Sequence, residues 1–172
     1  PIYGKTLGVV GLIGDTFKHT LGPLPHGIYN PPYANCRRCP LHLTYPECKW
    51  ACVDFIREKI KVETTGNLAA IIVEPIQGTN GNVVPPDGFL LELRKLADEQ
   101  GALLIVDEMI TGFVRTGKLF CAQHDNVRPD IITIGKSFGG RYPMTGLMSS
   151  DKIIFSKPFR SEEHTSELQS RG

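Results

Sequence analysis

Three short aliphatic runs restrict the fold of this chain more than anything else in it. They are Ala69-Ala70-Ile71-Ile72-Val73, Ala102-Leu103-Leu104-Ile105-Val106 and Ile131-Ile132-Thr133-Ile134. A strand with one face in water alternates apolar and polar residues. A continuous apolar run is instead covered on both faces, as in parallel sheets flanked by helices. Between the first two runs, Phe89, Leu90, Leu93, Leu96 and Ala97 recur at helical spacing. Asp87 is placed to cap the start of that helix and Gly101 to end it. A turn at Arg128-Pro129-Asp130 leads into the third run. The expectation is an α/β chain: a mostly parallel sheet with helices on both faces, with strands near residues 70–74, 102–106 and 131–134.

The remaining stretches are read more coarsely. Residues 46–62 predict a helix with Pro46 in its first turn and Trp50, Val53, Ile56 and Ile60 on one face. Residues 7–13 fit a helix or a strand equally. Residues 22–46, rich in Pro, Asn, Tyr and Cys, predict a long irregular loop, and such loops are often functional. From about residue 160 the sequence turns polar and aperiodic, reading as translated sequencing adapter or a disordered tail. That leaves residues 1–159 as one partial domain and residues 160–172 outside it.

Bulk properties exclude several function classes. A net charge of +1 gives no basic surface for nucleic acid or an anionic membrane. No apolar run approaches the roughly 20 residues of a membrane span. The first residues carry neither an initiator Met nor a signal-peptide pattern. The expectation is a cytoplasmic protein whose gene extends beyond this sequence.

Two residues carry candidate chemistry. Asp107 follows the second aliphatic run and Lys136 follows the third. Ligands of open α/β sheets bind at the carboxyl ends of the strands, so these two groups should converge on one crevice. A lysine amine there can form a Schiff base with an aldehyde cofactor. A carboxylate can keep a pyridine nitrogen protonated. A plain salt bridge or two solvated loop ends is the competing reading.

The surrounding motifs narrow the choice. They are Gly4-Lys5-Thr6-Leu7-Gly8, Glu74-Pro75-Ile76-Gln77-Gly78, Asp107-Glu108-Met109-Ile110-Thr111-Gly112-Phe113-Val114-Arg115-Thr116-Gly117, Pro129-Asp130-Ile131, and Lys136 with Gly139-Gly140. In this order the chain resembles the class III aminotransferases, pyridoxal-phosphate (PLP) enzymes of fold type I. The resemblance implies that Lys136 holds PLP and shuttles the α-proton, while Asp107 pairs with the pyridinium nitrogen. It also implies that Met109 packs on the ring and that Glu74 and Gly4 border it. Ile110 stands where the family often has a Gln that reaches the cofactor's phenolic oxygen. Ile2 stands at the usual stacking aromatic, with Tyr3 beside it as a stacker in a shifted register. Thr79-Asn80 replaces the acid common in γ-aminotransferases. That favours members resembling alanine–glyoxylate aminotransferase or dialkylglycine decarboxylase, and the activity the resemblance implies is alanine–glyoxylate-like or ω-amino acid–pyruvate-like amino transfer.

On this resemblance the substrates are an amino acid and a 2-oxo acid, and the whole protein is a homodimer. Asp107 and Lys136 should lie about a pyridine ring apart, and an apolar surface should lie near residues 22–46. The phosphate-cradling loop and the substrate-binding Arg should lie outside this sequence. Dialkylglycine decarboxylase-like and glutamate-1-semialdehyde aminomutase-like chemistries remain alternatives. Cys36, Cys39, Cys48 and Cys52 suggest a further alternative, a zinc-stapled module without catalysis. The preferred reading of these cysteines is buried free thiols, with no metal and no disulfide.

Overall fold

The computed structural model describes residues 3–4, 6–14 and 16–156. Ile2, Lys5 and the tail from residue 160 lie outside the described residues. Four strands form one sheet: β1 (Ala70–Val73), β2 (Leu103–Asp107), β3 (Ile131–Ile134) and β4 (Gly146–Ser149), in that spatial order. β1, β2 and β3 run parallel, and β4 returns antiparallel to β3. The three aliphatic runs are therefore the parallel strands. β4 was not expected: Gly-Leu-Met-Ser is short, and Leu147 and Met148 remain largely exposed.

The helices are α1 (Leu7–Val10), α2 (Ala51–Glu63), α3 (Phe89–Glu99) and α4 (Asp151–Ile154). Helix α3 packs against β1 and β2. Its Phe89, Leu90, Leu93, Leu96 and Ala97 are buried in one cluster with Val73, Leu104 and Val106. Val53 and Ile60 of α2 close the same core, and Trp50 and Ile56 pack against it, so the predicted face is the buried one. Burial of each large aliphatic side chain here contributes about 1.5–3 kcal/mol. On the opposite sheet face, Ile72, Leu103, Ile105 and Ile131 are half-buried.

Several local expectations need correction. Asp87 is exposed and does not cap α3. The N-cap is Gly88, at φ 89°, a left-handed turn that favours glycine. The capping carboxylate comes from Asp125, whose oxygens accept the Gly88 N–H (3.0 Å) and the Leu90 N–H (3.1 Å). Helix α2 starts at Ala51 rather than at Pro46, because residues 45–50 form turns and Lys49 and Trp50 are left-handed (φ 46° and 66°). Residues 7–13 resolve as a single helical turn, α1, followed by turns.

The link from β2 to β3 holds no α-helix. A short 3-10 turn, Cys121–Gln123, is its one helical piece among the described residues. Phe113 and Val114 are left-handed here (φ 59° and 66°), which breaks any helix. Glu108 organises this loop instead. It is 1% exposed; its Oε1 accepts the Ala122 N–H (2.9 Å) and its Oε2 accepts the Thr111 hydroxyl.

Asp130 ties three elements together. Its Oδ2 accepts from Arg94 of α3 (2.6 Å) and from the Leu104 N–H of β2 (2.7 Å), while its own N–H donates to the Leu104 carbonyl (2.9 Å). Burial alone would raise its pKa, but the Arg94 guanidinium and the Leu104 amide outweigh that and hold it below the usual value. Asp130→Ala leaves the Leu104 amide unpaired and removes one of the two carboxylates on Arg94, which keeps Asp98; it should destabilise the fold by about 1–3 kcal/mol. The stabilisation from a depressed carboxyl is complete above the unfolded pKa of 3.8 and is lost as pH falls through the folded value. Urea titrations of both proteins should therefore show a gap at pH 7 that narrows below pH 3.8. A gap independent of pH would remove the carboxylate from the account.

Among the described residues, no helix is long and apolar enough to cross a membrane. Near residues 22–46, Tyr29, Leu43 and Tyr45 show 38–45% exposure. More exposed apolar side chains lie elsewhere, at Tyr142 (76%), Leu147 (62%) and Phe155 (72%).

Candidate active site

The carboxyl ends of β1, β2 and β3 point the same way, and the candidate residues sit on them. Asp107 is the last residue of β2, Glu74 follows β1, and Lys136 follows β3 after Gly135. Asp107 is 6% exposed. Its Oδ1 accepts the Met109 N–H (2.9 Å) and the Thr133 hydroxyl (3.0 Å). Burial pushes its carboxyl above the ordinary value; the Met109 amide, the Thr133 hydroxyl and the Lys136 charge pull the other way.

Lys136 opens a 3-10 turn, Lys136–Gly139, and is left-handed at φ 46°. Its side chain is exposed. Its charge acts on Asp107, yet no ion pair joins the two.

Two close approaches knit the three loops together. A Cβ on Gly135 would sit 2.6 Å from the Met109 Sδ and Cε, so the Met109 side chain lies against the backbone next to Lys136. A Cβ on Gly78 would overlap the Ile110 Cδ1, so Ile110 fills the space above the Glu-Pro-Ile-Gln-Gly turn. Within that turn Glu74 is 7% exposed, and its Oε2 accepts the Gly78 N–H (2.9 Å). The Glu74 carboxylate thus holds the Gly78 amide at the end of the turn.

Tyr3 sits beside both acids. Its hydroxyl is raised well above the usual phenol range by burial first, then by the charges of Glu74 and Asp107, and it hydrogen-bonds the Glu74 backbone. The Tyr33 hydroxyl donates to the Glu74 and Pro75 carbonyls (3.1 and 3.0 Å). Gly4 is left-handed at φ 109°, and a Cβ there would meet Val9 at 3.1 Å. Ile2, the other stacking candidate, lies outside the described residues.

The loop after β2 folds back over the Lys136 turn. Phe113 stacks on Phe138 with ring centroids 5.4 Å apart, and Arg115 donates to the Ser137 hydroxyl (3.1 Å). A half-open cleft of about 460 Å³ lies nearby, lined by Tyr3, Tyr33, Gln77 and Val73 among others. Of the candidate residues it touches only Tyr3; Asp107 and Lys136 lie outside its lining.

Sequence reasoning missed Thr133 and Asp125. Thr133 had a signal, a lone hydroxyl in an otherwise all-isoleucine strand. Asp125 had none, because its partners are 35–37 residues away. The cysteines are not buried as expected: Cys36 is exposed, and Cys39, Cys48 and Cys52 are half-buried free thiols. Among the described residues, no group of three or more His, Cys, Asp or Glu is placed to hold a metal ion.

Comparisons with known proteins show the family. The family model described as aminotransferase class-III matches residues 2–166. A leucine/methionine racemase of Thermococcus litoralis is 38% identical over 159 residues, covering 91% of this chain and 36% of that protein. An (S)-enantioselective ω-transaminase from Thermomicrobium roseum superposes with a TM-score of 0.80 at 36% identity, over 88% of this chain and 34% of its own. The ornithine aminotransferase from Toxoplasma gondii superposes with a TM-score of 0.56 at 42% identity, over 62% of this chain and 25% of its own. The chain thus spans about a third of the length of the first two.

Proposed function

The chain belongs to the class-III aminotransferases, and from that premise we propose that the whole protein moves an amino group between an amino acid and a 2-oxo acid, with PLP held at Lys136. One observation carries the reading: a buried carboxylate and an exposed lysine at the carboxyl ends of neighbouring parallel strands, within electrostatic reach but unpaired.

The residues fit the cofactor on chemical grounds. Asp107 offers an acceptor on a carboxylate already fastened through Oδ1, which suits a ring N–H. Lys136 offers an exposed primary amine. Met109, pressed on Gly135, offers an apolar surface beside it. PLP, when bound, acts as an electron sink for the substrate's α-carbon. Within that chemistry the Lys136 amine takes the α-proton and returns it, acting as base and then acid. Asp107 holds a proton at the ring nitrogen. Glu74 and Tyr33 fix the turn that borders the site.

A second reading is racemisation, favoured by the relative that is a leucine/methionine racemase. Both outcomes need α-proton removal; they differ in where the proton returns. The reading also includes a cytoplasmic homodimer; the apolar side chains exposed at Tyr142, Leu147 and Phe155 support the dimer alone.

The test uses the full-length protein loaded with PLP. Borohydride should trap one cofactor on Lys136, read by peptide mass. An L-amino acid with a 2-oxo acid should then yield a new amino acid at a rate set by both. Inversion of the amino acid with no need for the 2-oxo acid selects the racemase. Failure to trap cofactor on Lys136 would sink both readings.

A further inference from the structure

Thr133 is the one polar residue of β3, and it faces Asp107 directly. The two are register partners in the parallel pair β2–β3, and the Thr133 Oγ1 donates to the Asp107 Oδ1 at 3.0 Å. The Met109 N–H lands on the same oxygen at 2.9 Å. One donor comes from the neighbouring strand and one from the chain just beyond Asp107. Together they fix rotation of the carboxylate about its Cβ–Cγ bond, which a single donor does not.

An Ile at position 133 would suit the rest of the strand, Ile-Ile-Thr-Ile, better on burial alone. A half-buried hydroxyl in such a run needs a partner, and here the partner is the candidate site acid. We propose that Thr133 is a positioning residue: its hydroxyl locks Oδ1 of Asp107 and leaves Oδ2 for the ligand. The proposal rests on the reading of Asp107 as the partner of a protonated ring nitrogen.

The electrostatic consequence follows from the donor's sign. A hydroxyl donated to a carboxylate stabilises the anion more than the neutral acid. The groups acting on Asp107 are its burial, the Met109 amide, Thr133 and the Lys136 charge, and Tyr3 faces it from the N-terminal segment. Removing the hydroxyl leaves burial opposed only by Met109 and Lys136. The acid then surrenders its charge at a higher pH and holds the ring proton less firmly.

Thr133→Val keeps the shape and removes the donor; Thr133→Ser restores it. Two measurements on the full-length protein decide the matter. In cofactor-free protein, infrared titration should find the Asp107 carboxyl protonating at higher pH in Thr133→Val than in the parent, with Thr133→Ser returning to the parent value. In protein loaded with ¹⁵N-labelled PLP, the ring nitrogen should shift toward the unprotonated value in the Val variant only. Turnover should fall roughly tenfold, about the effect of one pKa unit, with KM little changed. An Asp107 titration that coincides in the Val variant and the parent would overturn the proposal. So would a ring-nitrogen signal unchanged by Thr133→Val, or a Ser variant that behaves like Val. If the parent itself traps no cofactor on Lys136, the reading of the site fails, and the cofactor-free titration still decides whether Thr133 governs Asp107.

Discussion

Lys136→Ala in the full-length protein should abolish covalent attachment of PLP and lower transamination by more than about 10³-fold, while leaving the fold intact. The loss is large because one amine serves two roles, anchor and proton carrier, and general acid–base catalysis alone is worth roughly 10²–10⁴-fold. The fold should survive for reasons visible at the position. The side chain is exposed, so its loss empties no packed space. Its backbone is left-handed at φ 46°, a conformation no easier for lysine than for alanine. Thermal unfolding should therefore shift by no more than about 0.5 kcal/mol equivalent. A second effect separates this site from a merely exposed lysine. The Lys136 charge favours the ionised form of Asp107, so in the Ala variant the Asp107 carboxyl should titrate at higher pH. An Ala variant with full activity, or one whose Asp107 titration is unmoved, would contradict the assignment.

How much of this was legible beforehand depends on whether the cause was local. The parallel strands were legible because continuous aliphatic runs have few other uses, and Asp107 and Lys136 were legible because they immediately follow two of those runs. Helix α3 was legible from its spacing, yet its cap was not. Asp87 had the right side chain one residue too early, and the left-handed Gly88 hands the capping role to Asp125 across the fold. The pair Asp107-Glu108 shows a finer limit. Two adjacent acids look alike in sequence, but only one ends on the sheet face that Thr133 shares. The other is buried beneath the loop, satisfied by Thr111 and Ala122. Strand β4 escaped notice because its register with β3 comes from pairing rather than from its own composition. The glycines at 78 and 135 were visible as motif members. Their physical reason, room for Ile110 and Met109, came only with the contacts.

Asp107→Asn should make the cofactor-free protein more stable at neutral pH while lowering turnover by roughly 10²–10⁴-fold. The two effects have one source. Burial raises the folded carboxyl above its unfolded value of 3.8, despite the Met109 amide, the Thr133 hydroxyl and Lys136. A raised carboxyl is the reverse of the Asp130 case. Below the unfolded pKa both states are neutral and nothing is lost; as pH rises through the folded pKa, the protein loses stability because a charge must stay buried. Asparagine has no such charge, and its side-chain oxygen can still accept from Met109 and Thr133. Melting curves of the Asn variant and the parent should coincide near pH 3.5 and separate as pH rises, with the variant melting higher by a few degrees, roughly what one kcal/mol gives a chain of this size. Activity moves the other way because a neutral amide cannot hold the proton on a ring nitrogen, and the substrate's α-proton then leaves more slowly. PLP should still attach to Lys136, so the defect should appear in turnover and not in trapped cofactor. A variant less stable than the parent at every pH would mean that Asp107 is a structural acid like Glu108. One that kept full turnover would mean that the ring nitrogen finds its partner elsewhere.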